Sequence, residues 1–354
     1  MKRLLWPSVY PGLLALCPGI LLSCASPPYQ SAPPRPADGR YDSEFPSAPC
    51  SDQLEVIGRS VQMLSSIGYY KNYPFSLEEK MTLSGISEDV LDRKDPAAIY
   101  TNATSSGSST VIYFQEHRVA LLTCAHVVAY PDTVVTYYIG NDRRRTPYIQ
   151  TIALKQRQTN YIARFPEGGM LDILAIDQAL DVAILGKRFV DVPLTGVTVF
   201  SYPMGKARDL EWGSFLYLFG FPGGQKMLTK GIVSITTRDK AESFFTDAGF
   251  ARGFSGGIAL AIRDGVPHFE LVGIVKMVTA RTSYGVVPSL PDEDFSYDPT
   301  VPYRGDLYVE RETEIQYGVT QAISIEAITA FVRDHDEMLR AQGYALLPFF
   351  ERKD

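Results

Sequence analysis

The sequence predicts an all-β fold built from antiparallel barrels. From about residue 95, apolar residues come in short runs that are rich in β-branched and aromatic side chains. Turn-forming residues separate these runs, and no helical spacers lie between them as an α/β sheet would require. The turn Arg263-Asp264-Gly265 between two such runs is a strong hairpin signal. The predicted strands lie at residues 109–114, 119–123, 134–139, 215–219, 258–262 and 269–275.

Short helices are predicted before the barrels, in an N-terminal extension over residues 51–94. Apolar residues recur there at helical spacing, which makes one face that can dock on the main domain. Ser76 and Glu79 have the spacing of a capping box and predict a second short helix. The apolar residues of the first helix are Leu54, Ile57, Val61 and Leu64.

The barrels are expected to extend over residues 95–335 and to be followed by a C-terminal helix. Residues 281–316 are rich in proline and acidic residues, which predicts a long loop. Ser324 is a good N-cap for the helix, which is expected to end near Gly343.

The first 23 residues are typical of a bacterial lipoprotein signal peptide. Two cations precede a short apolar stretch, and a small residue stands just before Cys24. Three prolines interrupt that stretch, and it is too short for a membrane span. We therefore expect lipidation at Cys24 and a place in the cell envelope, at the periplasmic face of the outer membrane; simple secretion is the alternative. Residues 24–50 are rich in proline, which predicts a tether between the lipid anchor and the domain that starts at residue 51.

Composition narrows the set of partners. The net charge is −6, so the chain has no electrostatic reason to bind nucleic acid. None of its four histidines has a His or Cys partner at typical metal-ligand spacing, so we expect neither a metal nor a cofactor. In an oxidising compartment Cys50 and Cys124 can pair, or Cys124 is simply a small buried residue; spacing alone leaves both open.

The strongest functional signal is a serine in a glycine-rich loop together with an upstream histidine. Residues 253–257 read Gly-Phe-Ser-Gly-Gly, and residues 123–128 read Thr-Cys-Ala-His-Val-Val. Serine is a poor nucleophile until a base takes its proton, and histidine suits that task near neutral pH. The pattern therefore indicates Ser255 as the nucleophile and His126 as the base. The glycines allow backbone N–H groups to converge where an oxyanion forms.

A carboxylate is needed to orient the imidazole of His126. Asp181 precedes the apolar run Val-Ala-Ile-Leu, and a carboxylate in such a setting is costly to bury unless it accepts a hydrogen bond. The histidine Nδ1–H would supply that bond. Asp172, Asp177 and Asp191 are the alternatives, in less strand-like settings.

Taken together, these motifs resemble trypsin-fold serine proteases of the HtrA/Deg type. Thr-Cys-Ala-His-Val-Val is similar to the family's Thr-Asn-Ala-His-Val-Val, and Asp-Val-Ala-Ile-Leu to its Asp-Leu-Ala-Val-Leu. Thr-Asp-Ala followed by Gly-Phe-Ser-Gly-Gly is similar to Thr-Asp-Ala followed by Gly-Asn-Ser-Gly-Gly. The blocks occur in the family's order, at residues 122–128, 181–185, 220–234, 246–257 and 273–275, with Tyr-Gly-Val at 317–319 before the last helix.

The resemblance implies a chymotrypsin/trypsin-like fold of two six-stranded antiparallel barrels with the site between them. His126 and Asp181 would come from the first barrel and Ser255 from the second. The N–H groups of Gly253 and Ser255 would form the oxyanion hole. The expected substrates are proteins or peptides, and the resemblance leaves oligomerisation open.

The sequence also departs from this family. Phe254 replaces the usual Asn, Arg252 has no assigned role, and no PDZ-like domain is recognised after the protease region. Gly249, six residues before the serine, is not acidic, which argues against a preference for Arg or Lys. Met277 and Val278 are candidates for the wall of the specificity pocket and suggest small or medium apolar residues.

We therefore expect a serine endopeptidase. The main alternative is an inert or latent trypsin-fold lipoprotein that acts as a binding scaffold. An α/β-hydrolase elbow also matches Gly-Phe-Ser-Gly-Gly, but it needs a helix after the serine and a later catalytic histidine. The later histidines, His268 and His335, lie in a predicted turn and on a predicted helix surface.

Overall fold

The computed structural model describes most of the chain from residue 37 onwards. The predicted signal peptide, the lipidation site Cys24 and the first part of the tether lie outside the described residues. Within the described part, no helix is long and apolar enough to cross a membrane. The described residues are 37–46, 48–140, 144–163, 165–191, 197–236, 242–288, 300 and 307–352, without the side chains of 277–284, 286–288 and 307–318.

The described strands form two groups, and each group is joined by antiparallel ladders. The first group is β1 (Val61–Pro74), β2 (Ile99–Gln115), β3 (Arg118–Thr123), β4 (Thr133–Ile139), β5 (Arg145–Tyr161), β6 (Met170–Asp177) and β7 (Val182–Arg188). The second group is β8 (Phe215–Gly220), β9 (Met227–Ile235), β10 (Ser243–Thr246), β11 (Ile258–Ile262), β12 (Phe269–Pro288) and β13 (Leu307–Ser324).

Each group closes into a six-stranded barrel. In the first, the order β1-β2-β3-β7-β6-β5 closes through a ladder between β1 and β5, and β4 extends the sheet beyond β5. In the second, β10-β13-β12-β11-β8-β9 forms a closed ring. The predicted pair of six-stranded antiparallel barrels is therefore confirmed. The predicted hairpin turn at Asp264 and Gly265 is also present, with φ angles of 57° and 88°.

The predicted N-terminal extension is only partly helical. Helix α1 (Ser51–Ser60) ends where β1 begins, so Val61 and Leu64 belong to a barrel strand and the prediction of helix is wrong for them. The spacing of the apolar residues runs through both elements, but residues 61–72 pair with β2 along their whole length. The predicted capping box of Ser76 and Glu79 is confirmed at a 3₁₀ turn. Helix α2 (Glu88–Lys94) follows it.

Part of the predicted tether packs on the second barrel. The Asp42 N–H donates to the Ile262 carbonyl at 2.9 Å, and the Phe215 N–H donates to the Asp42 carbonyl at 2.7 Å. Tyr41 is buried, and its hydroxyl donates to Glu270 Oε2 at 2.6 Å. The prediction of a free tether is therefore wrong for these residues, because burial of the tyrosine and the new hydrogen bonds offset the entropy of ordering them.

The predicted loop at residues 281–316 is largely a hairpin. Strands β12 and β13 pair from Gly273 opposite Ser324 to Pro288 opposite Leu307. Val286 and Val287 lie opposite Val309 and Tyr308, so residues with high β propensity face one another along the ladder. The loop prediction is wrong for these strands, since three of its prolines, at 291, 299 and 302, lie between them rather than in them.

The C-terminal helix is confirmed, although it is broken. Ser324 caps α4 (Ile325–Asp334) by accepting the Ala327 N–H at 3.2 Å. A second helix, α5 (Asp336–Ala341), starts after His335, and Gly343 follows with a φ of 89°. Two one-turn helices complete the described helices: α3 (Ala125–Val128) and α6 (Leu347–Phe350). Ile325, Ile328, Phe331 and Val332 pack into the core cluster that the barrels share.

Candidate active site

His126 lies on the one-turn helix α3, directly after strand β3. Thr123 ends the strand, and its hydroxyl donates to the Ser108 carbonyl on neighbouring β2 at 2.7 Å. Ala125 and Val127, on either side of His126, are buried and anchor the helix. By contrast, 43% of the His126 side chain remains exposed. The backbone of His126 is therefore anchored by its buried neighbours, and its imidazole is accessible to solvent.

Asp181 meets this helix from the turn between β6 and β7. Asp177 builds the turn, because its carboxylate accepts the N–H groups of Ala179 and Leu180 at 2.8 and 2.9 Å. Asp181 itself has a φ of 70°, a left-handed conformation that aspartate tolerates better than most residues. Its carbonyl accepts the Ala125 N–H at 3.2 Å, so the backbone of the turn is fastened to α3.

The two side chains form a close hydrogen-bonded pair. His126 Nδ1 lies 2.8 Å from Asp181 Oδ2 and 3.0 Å from Oδ1, and the His126 backbone N–H donates to Oδ1 at 2.8 Å. Asp181 is only 5% exposed, so these bonds compensate its burial. An Nδ1–H that donates to the carboxylate leaves Nε2 free to accept a proton. Of the described aspartates, Asp181 bonds to His126, and the alternatives Asp172, Asp177 and Asp191 do not.

Ser255 belongs to the loop before β11 in the second barrel and touches the first. It is 8% exposed, and its hydroxyl donates to the Lys276 carbonyl at 3.1 Å. Its own carbonyl accepts the Ser108 N–H at 2.7 Å. A Cβ on the next residue, Gly256, would lie 2.4 Å from Thr123 Oγ1, so glycine is needed where the loop crosses the end of β3. The structure thus brings the serine loop against the strand that leads to His126.

Gly253 gives the loop a shape that other residues cannot adopt easily. Its φ is 108°, and a Cβ there would stand 2.2 Å from the Phe221 carbonyl oxygen. The Arg252 carbonyl accepts the Gly223 N–H at 3.3 Å, so the Gly253 N–H, on the opposite side of the same trans peptide, points away from Gly223. Among the described residues, neither this N–H nor that of Ser255 has an acceptor, as an oxyanion site requires.

The Phe254 side chain points into the protein core and not into solvent. It is 1% exposed, its ring centroid lies 6.2 Å from that of Phe250, and it packs against Gly220. An added Cβ on Gly220 would come within 2.5 Å of the Phe254 ring. The departure from the family's Asn therefore fills the core of the second barrel.

Ser108 is the site residue that the sequence motifs missed. Its hydroxyl donates to the Gly253 carbonyl at 2.6 Å and accepts the Phe221 N–H at 2.9 Å, both across the junction between the barrels. It is fully buried, as are Ser109 and Thr110. The available signal was this polar run directly before the apolar residues Val111–Phe114, where burial requires hydrogen-bond partners.

The candidate pocket residues are described only in part. Gly249 is exposed, and a Cβ there would lie 3.9 Å from Thr229 Oγ1. Met277 and Val278 lie on β12 opposite Gln321 and Thr320, and their side chains are outside the described residues. The Thr320 hydroxyl donates to the Ala248 carbonyl at 2.8 Å, which brings Gly249 next to this part of the hairpin.

The two described cysteines are not paired. Cys50 Sγ lies 3.6 Å from the Tyr217 hydroxyl, whereas the Cys124 thiol donates to the Val275 carbonyl at 3.3 Å. The disulfide that the sequence left open is therefore not formed. Burial and the Asp181 carboxylate raise the pKa of Cys124 well above its usual value, and the Lys276 ammonium opposes this.

Cys124, His126 and Asp181 are the described residues that come closest to a metal-ligand set. Their donor atoms lie within 4.8 Å of one another. However, His126 Nδ1 and Asp181 already bond to each other, and the Cys124 thiol is a proton donor with a raised pKa. The arrangement fits hydrogen bonding and proton transfer better than metal ligation.

Part of this chain matches a known protein family. The trypsin-like peptidase domain matches residues 107–274, a stretch that contains His126, Asp181 and Ser255. No curated protein matches the chain. The matched domain and the two closed barrels together identify a trypsin-like serine protease fold.

Proposed function

We propose that this chain, with its trypsin-like serine protease fold, is a serine endopeptidase that uses Ser255, His126 and Asp181. The observation that carries the proposal is the hydrogen-bonded His126–Asp181 pair directly after strand β3, whose end at Thr123 the serine loop crosses. Its substrates are proteins or peptides, because the reaction of such a site is acyl transfer from an amide.

In the proposed reaction, Ser255 Oγ attacks the carbonyl carbon of the scissile amide while His126 Nε2 takes the hydroxyl proton. The carbonyl oxygen becomes an oxyanion, which the N–H groups of Gly253 and Ser255 stabilise. The C–N bond then breaks, and His126 returns the proton to the leaving amine. Water then attacks the acyl-enzyme carbonyl while His126 Nε2 takes its proton. His126 returns this proton to Ser255 Oγ as the carboxylic acid is released.

Before the first step, the Ser255 hydroxyl has to leave the Lys276 carbonyl, 3.1 Å away, and turn towards His126. This is a rotation about one side-chain torsion between staggered wells. Asp181 holds the imidazole in the required tautomer and stabilises the imidazolium that forms.

A covalent probe tests the proposal on the full chain. A fluorophosphonate should label wild type on Ser255, and the adduct should be absent in Ser255→Ala and His126→Ala. Ser60→Ala is the matched control, because Ser60 is also buried and donates only to the Ile57 carbonyl. If folded wild type gives no adduct, or if Ser255→Ala labels equally, the chain is an inert scaffold or uses another nucleophile.

We further propose that the protease is of the HtrA/Deg type and is held in the bacterial envelope by a lipid on Cys24. The support is sequence alone: the motif order and the signal-like residues 1–23. Replacement of Cys24 by Ala should move the protein from the membrane fraction to the soluble fraction after cell lysis. An unchanged distribution would contradict the lipid anchor.

A further inference from the structure

The chain segments that build the site carry a local excess of positive charge. They are residues 104–108, 124–128, 221–231, 246–257 and 275–276, together with Asp181. Their cations are Lys226, Lys230, Arg252 and Lys276, and their carboxylates are Asp181 and Asp247. The chain as a whole has a net charge of −6, so the sign reverses at the site.

Both carboxylates are already committed to hydrogen bonds. Asp181 is buried against His126, and Asp247 Oδ1 accepts the Ile232 N–H at 2.7 Å. Gly249 brings no acid to the candidate pocket. A substrate that approaches Ser255 therefore meets cations with little local compensation.

Arg252 directly precedes Gly253, the proposed oxyanion donor, and is three residues before Ser255 in the same loop. Its backbone is fixed, because its carbonyl accepts the Gly223 N–H at 3.3 Å and the next residue, Gly253, accepts the Ser108 hydroxyl at 2.6 Å. The residue is exposed, and within the described part of the chain it forms no ion pair. A side chain of this length reaches over roughly two residues of an extended peptide.

Lys226 is a second cation, just after the turn at 222–224 that contacts the loop of Arg252. Its ammonium lies 5.5 Å from the ring centroid of Phe221, and it donates to the Gly58 carbonyl. The Phe221 N–H in turn lies 3.4 Å from the Gly253 carbonyl. The turn that supports the oxyanion loop is thus flanked by Arg252 and Lys226.

We infer that Arg252 selects peptides that carry an aspartate or glutamate within two residues of the scissile bond. The inference rests on the proposed endopeptidase function and adds a substrate class to it. Arginine suits the task because its planar guanidinium binds a carboxylate through two parallel hydrogen bonds. Lys226 supports the selection through the local potential.

A matched pair of substrates tests the inference. A peptide library digested by the full chain should show acidic residues enriched at one position near the cleaved bond. Peptides that differ only by Glu or Gln at that position should then differ about fivefold in kcat/KM at low salt, the value expected for one exposed ion pair. The difference should shrink as the ionic strength rises.

Charge-changing variants separate Arg252 from general effects. Arg252→Gln should abolish the preference for Glu over Gln, Arg252→Lys should keep part of it, and Arg252→Glu should reverse it in favour of Lys. Arg93→Glu is the control, because Arg93 is another exposed arginine, on α2. Equal kcat/KM for the two peptides in wild type, or an unchanged preference in Arg252→Glu, would overturn the inference.

A binding measurement keeps the two proposals separate. Ser255→Ala should bind the Glu peptide more tightly than the Gln peptide in fluorescence anisotropy, and this needs no turnover. Preferential binding of the Glu peptide without any cleavage by wild type would defeat the proposed protease and leave only a preference for acidic peptides at this site. Cleavage with no preference for the Glu peptide would support the proposed protease and overturn the inference about Arg252.

Discussion

The hydroxyl of Ser108, in the first barrel, donates a 2.6 Å hydrogen bond to the carbonyl of Gly253, in the second barrel. The two residues are 145 positions apart in the chain. The same hydroxyl accepts the Phe221 N–H, and the Ser108 N–H donates to the Ser255 carbonyl. One buried serine therefore joins the barrels at the loop that carries the proposed nucleophile.

Replacement of Ser108 by Ala should impair both stability and catalysis. Two buried groups, the Gly253 carbonyl and the Phe221 N–H, lose a partner, which should lower the free energy of unfolding by about 1–3 kcal/mol. We expect kcat to fall more than KM rises, because the loop serves the transition state. Ser109→Ala is the matched control, since that hydroxyl makes only a 3.4 Å contact with the Gln62 carbonyl. Equal kcat in the two variants, measured with one peptide, would contradict this role.

Replacement of Asp181 by Asn should leave the fold intact and nearly abolish hydrolysis. An amide has the size of the carboxylate, but it no longer favours the tautomer in which Nε2 accepts a proton, and the expected loss in kcat is about 10⁴-fold. Asp172→Asn should have little effect, because Asp172 is exposed on β6. Steady-state kinetics of both variants, with circular dichroism to confirm folding, make the comparison. A loss below tenfold in Asp181→Asn would argue against the triad.

Replacement of Gly253 by Ala should reduce turnover about 10²–10³-fold, the usual effect of losing one oxyanion donor. A Cβ at this position would lie 2.2 Å from the Phe221 carbonyl oxygen, so the loop has to shift. Gly223→Ala is the control, in the neighbouring turn whose Gly223 N–H bonds to the Arg252 carbonyl. Gly223 also has a positive φ, of 59°, but open space around its Cβ position, so the cost should be about 1–2 kcal/mol of backbone strain. Similar kcat values for the two variants would contradict the assigned role of Gly253.

Replacement of Phe254 by Asn, the family's usual residue, should destabilise the protein instead of activating it. The ring is buried in the second barrel, and loss of a buried phenylalanine costs about 3–5 kcal/mol, with a further penalty for an unpaired amide. Phe254→Leu should retain more stability because it remains apolar. Chemical denaturation of the two variants measures the difference. A more active and equally stable Phe254→Asn would show that Phe254 restrains the site.

Cys50 and Cys124 should both remain thiols in the folded protein. Each is buried against a different partner, and the pKa of Cys124 is raised by burial and by the Asp181 carboxylate. Thiol-reactive reagents should therefore modify neither of them at pH 8 until denaturant is added, as mass spectrometry can show. A peptide that links the two cysteines in the non-reduced protein would refute the unpaired arrangement.

Local sequence patterns predicted much of this fold because they depend on near neighbours. Alternation, β-branched residues and the Asp264-Gly265 turn predicted the hairpin of β11 and β12, and the Ser76–Glu79 spacing predicted its capping box. The roles of Ser255, His126 and Asp181 stay predictions until they are tested. Their chain positions followed from motif order, and the structure brings the aspartate and the histidine into contact.

Contacts between distant segments were decided only by the tertiary structure. Val61 and Leu64 match a helical spacing, yet they form a strand because β2 and β5 are available as partners. Residues 281–288 and 307–316 become strands because each supplies the other's ladder. Ser108 makes its hydrogen bonds to Gly253 and Phe221 only when the barrels meet.

The sequence by itself therefore determined which segments are strands and turns in most of the barrels, and which residues are candidates for the chemistry. The tertiary structure decided which of these segments share a barrel, where Arg252 lies, and which carbonyl holds the Ser255 hydroxyl. The physical reason is that backbone preference and side-chain alternation act over a few residues. Hydrogen bonds such as that from Ser108 to Gly253 form only after long loops have closed and hydrophobic burial has brought the barrels together.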